Sequence, residues 1–128
     1  MTIILKRFLL LFVGILLFNA CQKKIEGFDD VTWRADHKGC QGTREKMAEL
    51  LIEKKELVKN LDDNALASLL GDPERNRQLT RGKKNYIYFI QPGNQCQGDS
   101  SLKEGKKLII EFDALGFPRV IRTSYIDF

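Results

Sequence analysis

The apolar positions of this chain follow three different patterns along its 128 residues. Residues 8–18 form an almost unbroken apolar run, and residues 43–70 place apolar side chains at helical spacing. Residues 86–126 contain short apolar and aromatic runs that are separated by turn residues. Because continuous, helical and alternating patterns indicate different structures, the sequence predicts an N-terminal apolar segment, then helices, then strands.

The N-terminal segment has the layout of an export signal. Lys6 and Arg7 precede the apolar run, and small or polar residues follow it. A basic stretch before an apolar core of about 7 to 15 residues is typical of a secretory signal peptide, whereas a membrane-spanning helix needs about 20 apolar residues. We therefore predict that residues 1–20 are a signal peptide that is removed on export.

Two helices are predicted between residues 43 and 70. Thr43 is a potential N-cap for a helix that runs to about Asn60. Its apolar residues follow the spacing of one helical face: Met47, Leu50, Leu51, Leu57, Val58 and Leu61. Lys54 falls within this stripe, where we expect its stem to lie along the core and its ammonium to reach water. Residues 62–64 offer a second N-cap, and Gly71 ends a short second helix.

Three strands are predicted after a polar loop at residues 75–84. Residues 86–90 are aromatic and β-branched, residues 108–112 place three apolar side chains on one face, and residues 117–126 form the third strand. Short connections favour antiparallel pairing. The expected fold is α+β, with two N-terminal helices packed on one face of a three-stranded antiparallel sheet.

Composition limits the chain to one small domain. A hydrophobic fraction of 43% excludes a disordered chain, and 128 residues are too few for a two-domain enzyme. Two of the basic residues behind the net charge of +4 belong to the signal segment, so the remaining chain is nearly neutral. Export and near-neutrality argue against nucleic-acid binding. We expect a polar tether at residues 21–30 and a single domain at residues 31–128.

The end of the apolar run carries a family resemblance. Residues 18–21 read Phe-Asn-Ala-Cys, which resembles the lipobox of bacterial lipoproteins, a short apolar and small stretch that ends in an obligatory cysteine. The resemblance implies cleavage before Cys21, acylation of Cys21 and anchoring to a membrane through the acyl chains. Gln22 stands where Asp favours inner-membrane retention in that family, which implies the outer membrane, facing the periplasm. The alternative is a soluble secreted protein in which Cys21 is incidental.

Two cysteines remain once Cys21 is assigned to lipidation. In an exported protein, Cys40 and Cys96 form a disulfide more readily than they stay free thiols. Closure of a loop of about 57 residues corresponds to roughly 4 kcal/mol in the chain-entropy model. A redox-active pair is disfavoured because the chain has no Cys-x-x-Cys spacing. We therefore predict a structural disulfide.

The order of the later elements resembles the SmpA/OmlA (BamE-type) outer-membrane lipoprotein domain, whose fold is related to that of β-lactamase-inhibitor proteins. The shared motifs are Leu-Gly-Asp-Pro at residues 70–73, Tyr-Ile-Tyr at residues 86–88, the apolar strand at residues 108–112, and Gly116. The resemblance implies an accessory role in the assembly of outer-membrane barrel proteins, through contacts with partner proteins and anionic lipid.

A cluster of basic residues marks the polar loop as a candidate lipid or partner patch. Its members have one acidic residue beside them in sequence, Glu74. Each basic group near an anionic membrane surface contributes about 1 kcal/mol. The patch consists of Arg75, Arg77, Arg81, Lys83 and Lys84. The alternative is a solvated loop without a function of its own.

Enzyme chemistry finds little support in the sequence. His37 lies three residues before Cys40, but a zinc site of the His-x-x-Cys type needs two further ligands, and a surface histidine is expected. The chain contains no nucleophile elbow and no Gly-rich phosphate loop. We therefore predict no catalytic site, no metal and no cofactor.

The aromatic side chains of the strands bear on partner binding. Aromatic residues on the outer sheet face would favour a protein partner, whereas burial under the helices is the alternative. The residues concerned are Tyr86, Tyr88, Phe117 and Tyr125. The expected function is a lipid-anchored, periplasm-facing envelope lipoprotein that acts as a protein-interaction and accessory assembly module. The alternative is an inhibitor or ligand-binding lipoprotein that uses the open sheet face.

Overall fold

The computed structural model describes residues 2–7, 24–98 and 101–127. Residues 2–7 are helical, and the two longer ranges make up the folded unit. No helix in these three ranges combines the length and the apolar composition that crossing a membrane requires. Cys21 and most of the signal segment lie outside the described residues, so signal cleavage and lipidation stay predictions.

The helices of the folded unit are short. Their bounds are α1 (Asp30–Ala35), α2 (Arg44–Glu53), α3 (Lys55–Val58), α4 (Asp63–Leu70) and α5 (Asn94–Gln97). The prediction of one helix from Thr43 to about residue 60 is wrong, because the backbone at Lys54 turns to a ψ of 28° and separates α2 from α3. The predicted second helix is confirmed as α4, and the Asp62 carboxylate caps it by accepting a hydrogen bond from the Ala65 amide at 2.8 Å.

The start of α2 is capped from a distance. Thr43 makes no capping hydrogen bond with its side chain, so its predicted role is wrong. The fully buried Asp36 takes that role. Its carboxylate accepts hydrogen bonds from the backbone amides of Gln41, Thr43 and Arg44 at 2.8–3.2 Å. A buried carboxylate is tolerated here because backbone donors at the helix start satisfy it.

The sheet has four antiparallel strands in the order β1-β2-β3-β4, with β1 (Arg75–Gln78), β2 (Lys84–Phe89), β3 (Lys107–Phe112) and β4 (Pro118–Ser124). The expected α+β class with an antiparallel sheet is confirmed, but the count of three strands is wrong. The additional strand, β1, lies in the segment predicted as a loop. Its sequence Arg-Asn-Arg-Gln has no apolar alternation from which a strand could be predicted. Backbone pairing with β2 holds this strand at the edge of the sheet.

The core lies between the helices and one face of the sheet. The predicted face of β3 is confirmed, since Leu108, Ile110 and Phe112 are all buried in this core. Tyr86 and Tyr88 of β2 lie in the same core. The helix layer contributes residues with little or no exposed surface: Trp33, Ala48, Leu51, Val58, Leu61, Leu66, Leu69 and Leu70.

The segment before α1 belongs to the domain. Ile25 and Phe28 keep 4% and 9% of their surface exposed, and the Phe28 ring lies 5.6 Å from the ring of Trp33. The Lys54 ammonium donates a hydrogen bond to the Glu26 carbonyl at 2.6 Å. The prediction that the tether extends to residue 30 is therefore wrong, because two apolar side chains anchor this mostly polar segment in the core.

Candidate functional site

The predicted disulfide is confirmed. Cys40 and Cys96 are bonded, with their Cα atoms 5.7 Å apart. The bond joins the turn before α2 to α5, so it ties the helix layer to the loop that follows β2.

The predicted basic patch is divided by ion pairs. Arg75 pairs with Glu104 and with Asp127, and Lys84 pairs with Asp63. The hydrogen bond that Arg75 donates to Glu104 raises the pKa of Arg75 above its usual value, and the hydrogen bond that Lys84 donates to Asp63 does the same to the pKa of Lys84. Two of the five predicted members are therefore engaged by carboxylates that lie 21 to 52 residues away in the sequence.

The other three members, Arg77, Arg81 and Lys83, are exposed. Arg81 occupies the middle of a 3₁₀ turn, Thr80–Gly82, and adopts a left-handed φ of 60°. This turn touches the β3–β4 turn, since a side-chain carbon on Gly82 would lie 3.4 Å from the Ala114 side chain. Two turns thus meet at the end of the sheet where β2 begins.

Exposed apolar side chains accompany these cations. Leu115 keeps 82% of its surface exposed, Leu79 44% and Phe117 40%. We name this end of the molecule the turn surface, and define it by Leu79, Arg81, Lys83, Leu115 and Phe117. Basic and apolar side chains together suit contact with lipid headgroups or with a protein partner.

The aromatic residues do not share one outer face. Tyr86 and Tyr88 are buried beneath the helices, so for these two the burial alternative is right. The Tyr88 hydroxyl donates a hydrogen bond to the Gly71 carbonyl at 2.8 Å, and burial raises the pKa of this hydroxyl. Phe117 and Tyr125 are exposed, at 40% and 60%.

The second face of the sheet carries charged side chains beside buried apolar ones. Cross-strand pairing places Arg75, Ile87, Ile109 and Arg122 in one row across all four strands. Ile87 and Ile109 have no exposed surface. We name this face the charged face. The ligand-binding alternative, which relies on an open sheet face, stays a prediction.

A buried lysine completes the charged face. Lys107 keeps 2% of its side chain exposed and pairs with Glu104 at 2.7 Å and with Asp127 at 2.8 Å. The Lys107 ammonium lies 5.6 Å from the Phe89 ring centroid, and the Arg75 guanidinium lies 5.3 Å from it. Two cations and two carboxylates therefore enclose the end of β2.

His37 is exposed, and no group of three potential metal ligands occurs among the described residues. His37 lines a cleft of about 530 Å³, together with Arg34, Lys38, Arg44, Leu70, Gly71, Asp72 and Glu74. Sequence reasoning missed this cleft because its residues come from two segments, residues 34–44 and 70–74, that show no shared motif.

Comparisons with known proteins identified no significant match. It matches no family model, and no curated protein or solved structure is significantly similar to it. The lipobox and the SmpA/OmlA-type domain are therefore resemblances carried only by the residues quoted for them.

Proposed function

We propose that this chain is a lipid-anchored protein of the bacterial cell envelope, held by acyl chains on Cys21, that faces the periplasm and acts as an interaction module and not as an enzyme. The basic and apolar layout of residues 1–20 and the cysteine at position 21 support export and lipidation. The Cys40–Cys96 disulfide supports an oxidising compartment outside the cytoplasm. In the lipoprotein family that residues 18–21 resemble, Asp after the acylated cysteine favours retention in the inner membrane, so Gln22 at this position supports sorting to the outer membrane.

The observation that carries the proposal is the short length of chain between Cys21, the proposed lipid anchor, and the hydrophobic core. Ile25 is buried, and it lies four residues after Cys21. Four extended residues span at most about 14 Å. A lipid on Cys21 would therefore hold the domain directly against the membrane surface, and would not let it move freely on a long tether.

The helices indicate which end of the domain would face the membrane. Arg44, at the start of α2, donates a hydrogen bond to the Phe89 carbonyl at the end of β2. Asp63, at the start of α4, pairs with Lys84 at the start of β2. Since α2 and α3 connect these two ends, Lys54 at the end of α2 lies toward the start of β2. The Glu26 carbonyl that Lys54 binds then lies nearer to the turn surface than Phe28 does, since Phe28 packs on Trp33 beside Arg44.

The turn surface is the favoured contact surface for a partner protein of the envelope. It combines Leu115 and Phe117 with the exposed cations Arg81 and Lys83. Interface cores are enriched in aromatic residues and arginine and depleted of most other charges. Close to a membrane, such a surface would meet a partner embedded in the same bilayer, with anionic headgroups as the competing contact.

Lipidation is tested with Cys21→Ser in the full chain. We expect wild-type protein to incorporate an alkyne-tagged palmitate and to fractionate with membranes, whereas Cys21→Ser carries no label and accumulates with its signal attached. Cys96→Ser is the control, because it removes a different cysteine and should keep the label. An unlabelled wild-type chain that is released as a soluble protein would refute the anchoring.

The interaction role is tested by photo-crosslinking in native membranes. A photoreactive residue at Leu115 is expected to give an adduct with an envelope protein. Leu102 is the matched control, since it is also exposed, at 45%, and lies near α5 at the opposite end of the sheet. Adducts with lipid alone at Leu115, or equal protein adducts at both positions, would contradict a partner-binding turn surface.

A further inference from the structure

The cleft beside His37 has the size of a small-molecule site. Its volume of about 530 Å³ falls within the roughly 300–1,000 Å³ of typical ligand pockets. One group of lining residues comes from residues 34–44, and the other comes from residues 70–74. The cleft is separate from the turn surface, so an inference about it does not depend on the membrane anchor.

Arg44 is built rigidly into this cleft. Its side chain is 5% exposed, and its guanidinium carbon lies 4.9 Å from the Trp33 ring centroid. Nε donates to the Trp33 carbonyl at 2.9 Å, while Nη1 donates to the Phe89 carbonyl at 3.1 Å and to Glu74 at 2.6 Å. Nη2 has no hydrogen-bond partner within residues 24–98 and 101–127. Of the five donors of an arginine, two thus remain for a bound molecule.

The opposite charge is supplied by Asp72 and Glu74. Glu74 uses Oε1 to accept from Arg44, whereas its Oε2 is buried and has no hydrogen-bond partner among the described residues. Buried carboxylate oxygens are rarely left without a donor. Asp72 is exposed at the mouth of the same cleft. The segment at residues 70–74 therefore offers carboxylate oxygens that can accept hydrogen bonds from a cationic or N–H donor group of a ligand.

The remaining basic side chains lie on the other segment. Lys38 and His37 are exposed and line the cleft, whereas Arg34 is already paired with Asp30 at 2.8 Å. Lys38 adopts a left-handed φ of 55°, a conformation that is uncommon for residues other than glycine. Cations on one segment and carboxylates on the other match a ligand that carries both charges.

The cleft is also fixed in shape. The Trp33 indole donates a hydrogen bond to the Leu70 carbonyl at 3.1 Å, and the Tyr88 hydroxyl donates to the Gly71 carbonyl at 2.8 Å. Gly39 packs so closely that a side-chain carbon would lie 2.6 Å from the Phe89 carbonyl oxygen. Both segments are therefore held before any ligand arrives, which lowers the cost of binding.

We propose that this cleft binds a small zwitterion with an α-amino-carboxylate head, that is, a free amino acid. The carboxylate is bound by Nη2 of Arg44 and by Lys38. The ammonium is bound by Asp72 and, after a rotation that exposes Oε2, by Glu74. A peptide end carries only one of the two charges at its terminus and satisfies half of the site.

Binding is measured on the full chain in detergent through the fluorescence of Trp33, the sole tryptophan, whose ring packs on Arg44. The probes are both enantiomers of alanine, lysine and glutamate, with acetate and methylammonium as the two half-ligands. We expect a saturable response to at least one amino acid, with a Kd at least tenfold lower than for either half-ligand. No saturable response to any amino acid, or acetate binding as tightly, would overturn the proposal.

Two exposed substitutions assign the two charges without disturbing the core. Lys38→Gln is expected to weaken amino-acid binding at least fivefold and to leave methylammonium binding unchanged. Asp72→Asn is expected to weaken amino-acid binding similarly and to leave acetate binding unchanged. Arg77→Gln is the matched control, because it removes an exposed charge outside the cleft. Equal weakening by all three variants, or by none, would assign the response to something other than this cleft.

Discussion

The two faces of the sheet bury comparable side chains in opposite ways. On the helix-covered face, Ile110 is enclosed by apolar residues from the helices and from β2. On the charged face, its neighbour Ile109 is equally inaccessible, yet its cross-strand partners are Arg122 on one side and, on the other, Ile87, which in turn pairs with Arg75. Ile109 and Ile110 are therefore both fully buried, but Ile110 lies among apolar side chains and Ile109 lies in a row that ends in arginines.

This difference shows that burial alone does not define a rigid core. Long basic side chains cover apolar surface with their stems while their charged ends reach water or a carboxylate. Such stems can move into the space that is left when a neighbouring side chain is truncated, whereas close-packed residues between a helix layer and a sheet can do so only in part. The helix-covered face is thus expected to tolerate loss of volume less well than the charged face.

The largest expected effect comes from truncating the two isoleucines separately. Ile110→Ala should lower the free energy of unfolding by about 4 kcal/mol, because it leaves a cavity in the apolar core. Ile109→Ala should lower it by about 2 kcal/mol, because the stem of its cross-strand neighbour Arg122 can fill part of the space. Denaturant unfolding followed by Trp33 fluorescence measures both values. Equal losses would show that the charged face is packed as rigidly as the core.

Sequence patterns predicted the apolar face because its signal is local. Alternation along β3 identified Leu108, Ile110 and Phe112, and the spacing around α4 identified its capped start and its end at Gly71. These features depend on neighbours within a few residues, so one sequence is sufficient to find them.

The charged face and the cleft could not be found in this way. The partners of Arg75, Glu104 and Asp127, lie 29 and 52 residues away, and Glu74 meets Arg44 across 30 residues. Opposite charges pair without a sequence motif, since any carboxylate that the fold brings close will serve. The same ambiguity made Arg75 and Lys84 look like members of one free basic patch.

Lowering the pH should weaken the charged face more than the helix-covered face. Hydrogen bonds from Arg75 and Lys107 lower the pKa of Glu104. Burial acts to raise the pKa of Asp127, but Lys107 and Arg75 outweigh it and the pKa is lowered. A carboxylate with a lowered folded-state pKa adds stability above its unfolded pKa of about 4, and this stability is lost as the pH falls through the folded-state value. The charged face should therefore weaken below about pH 4.

The variant Arg75→Met isolates this contribution from other carboxylates that also have lowered pKa values, such as Asp29 and Asp113. We expect it to lower the free energy of unfolding by about 1 kcal/mol at pH 7 and by less at pH 3, because the carboxylates it serves are then being protonated. Ile110→Ala should cost the same at both pH values. A loss in Arg75→Met that does not depend on pH would mean that the ion pairs of Arg75 with Glu104 and Asp127 are not its source.

The smallest expected effect is the difference in stability loss between substitutions of two arginines of β4. Arg122 pairs with Glu111 at 3.3 Å and keeps 28% of its side chain exposed beside Ile109, whereas Arg119 pairs with Asp113 at 2.6 Å but is 70% exposed. If coverage of apolar surface matters more than the length of the ion pair, Arg122→Ala should cost about 1 kcal/mol and Arg119→Ala should cause no measurable change. The closer pair would then be the weaker contributor, because the Arg119 side chain stays in water. A larger loss in Arg119→Ala would reverse this order and show that the ion pair of an arginine, and not the coverage of apolar surface by its stem, determines how much it stabilises β4.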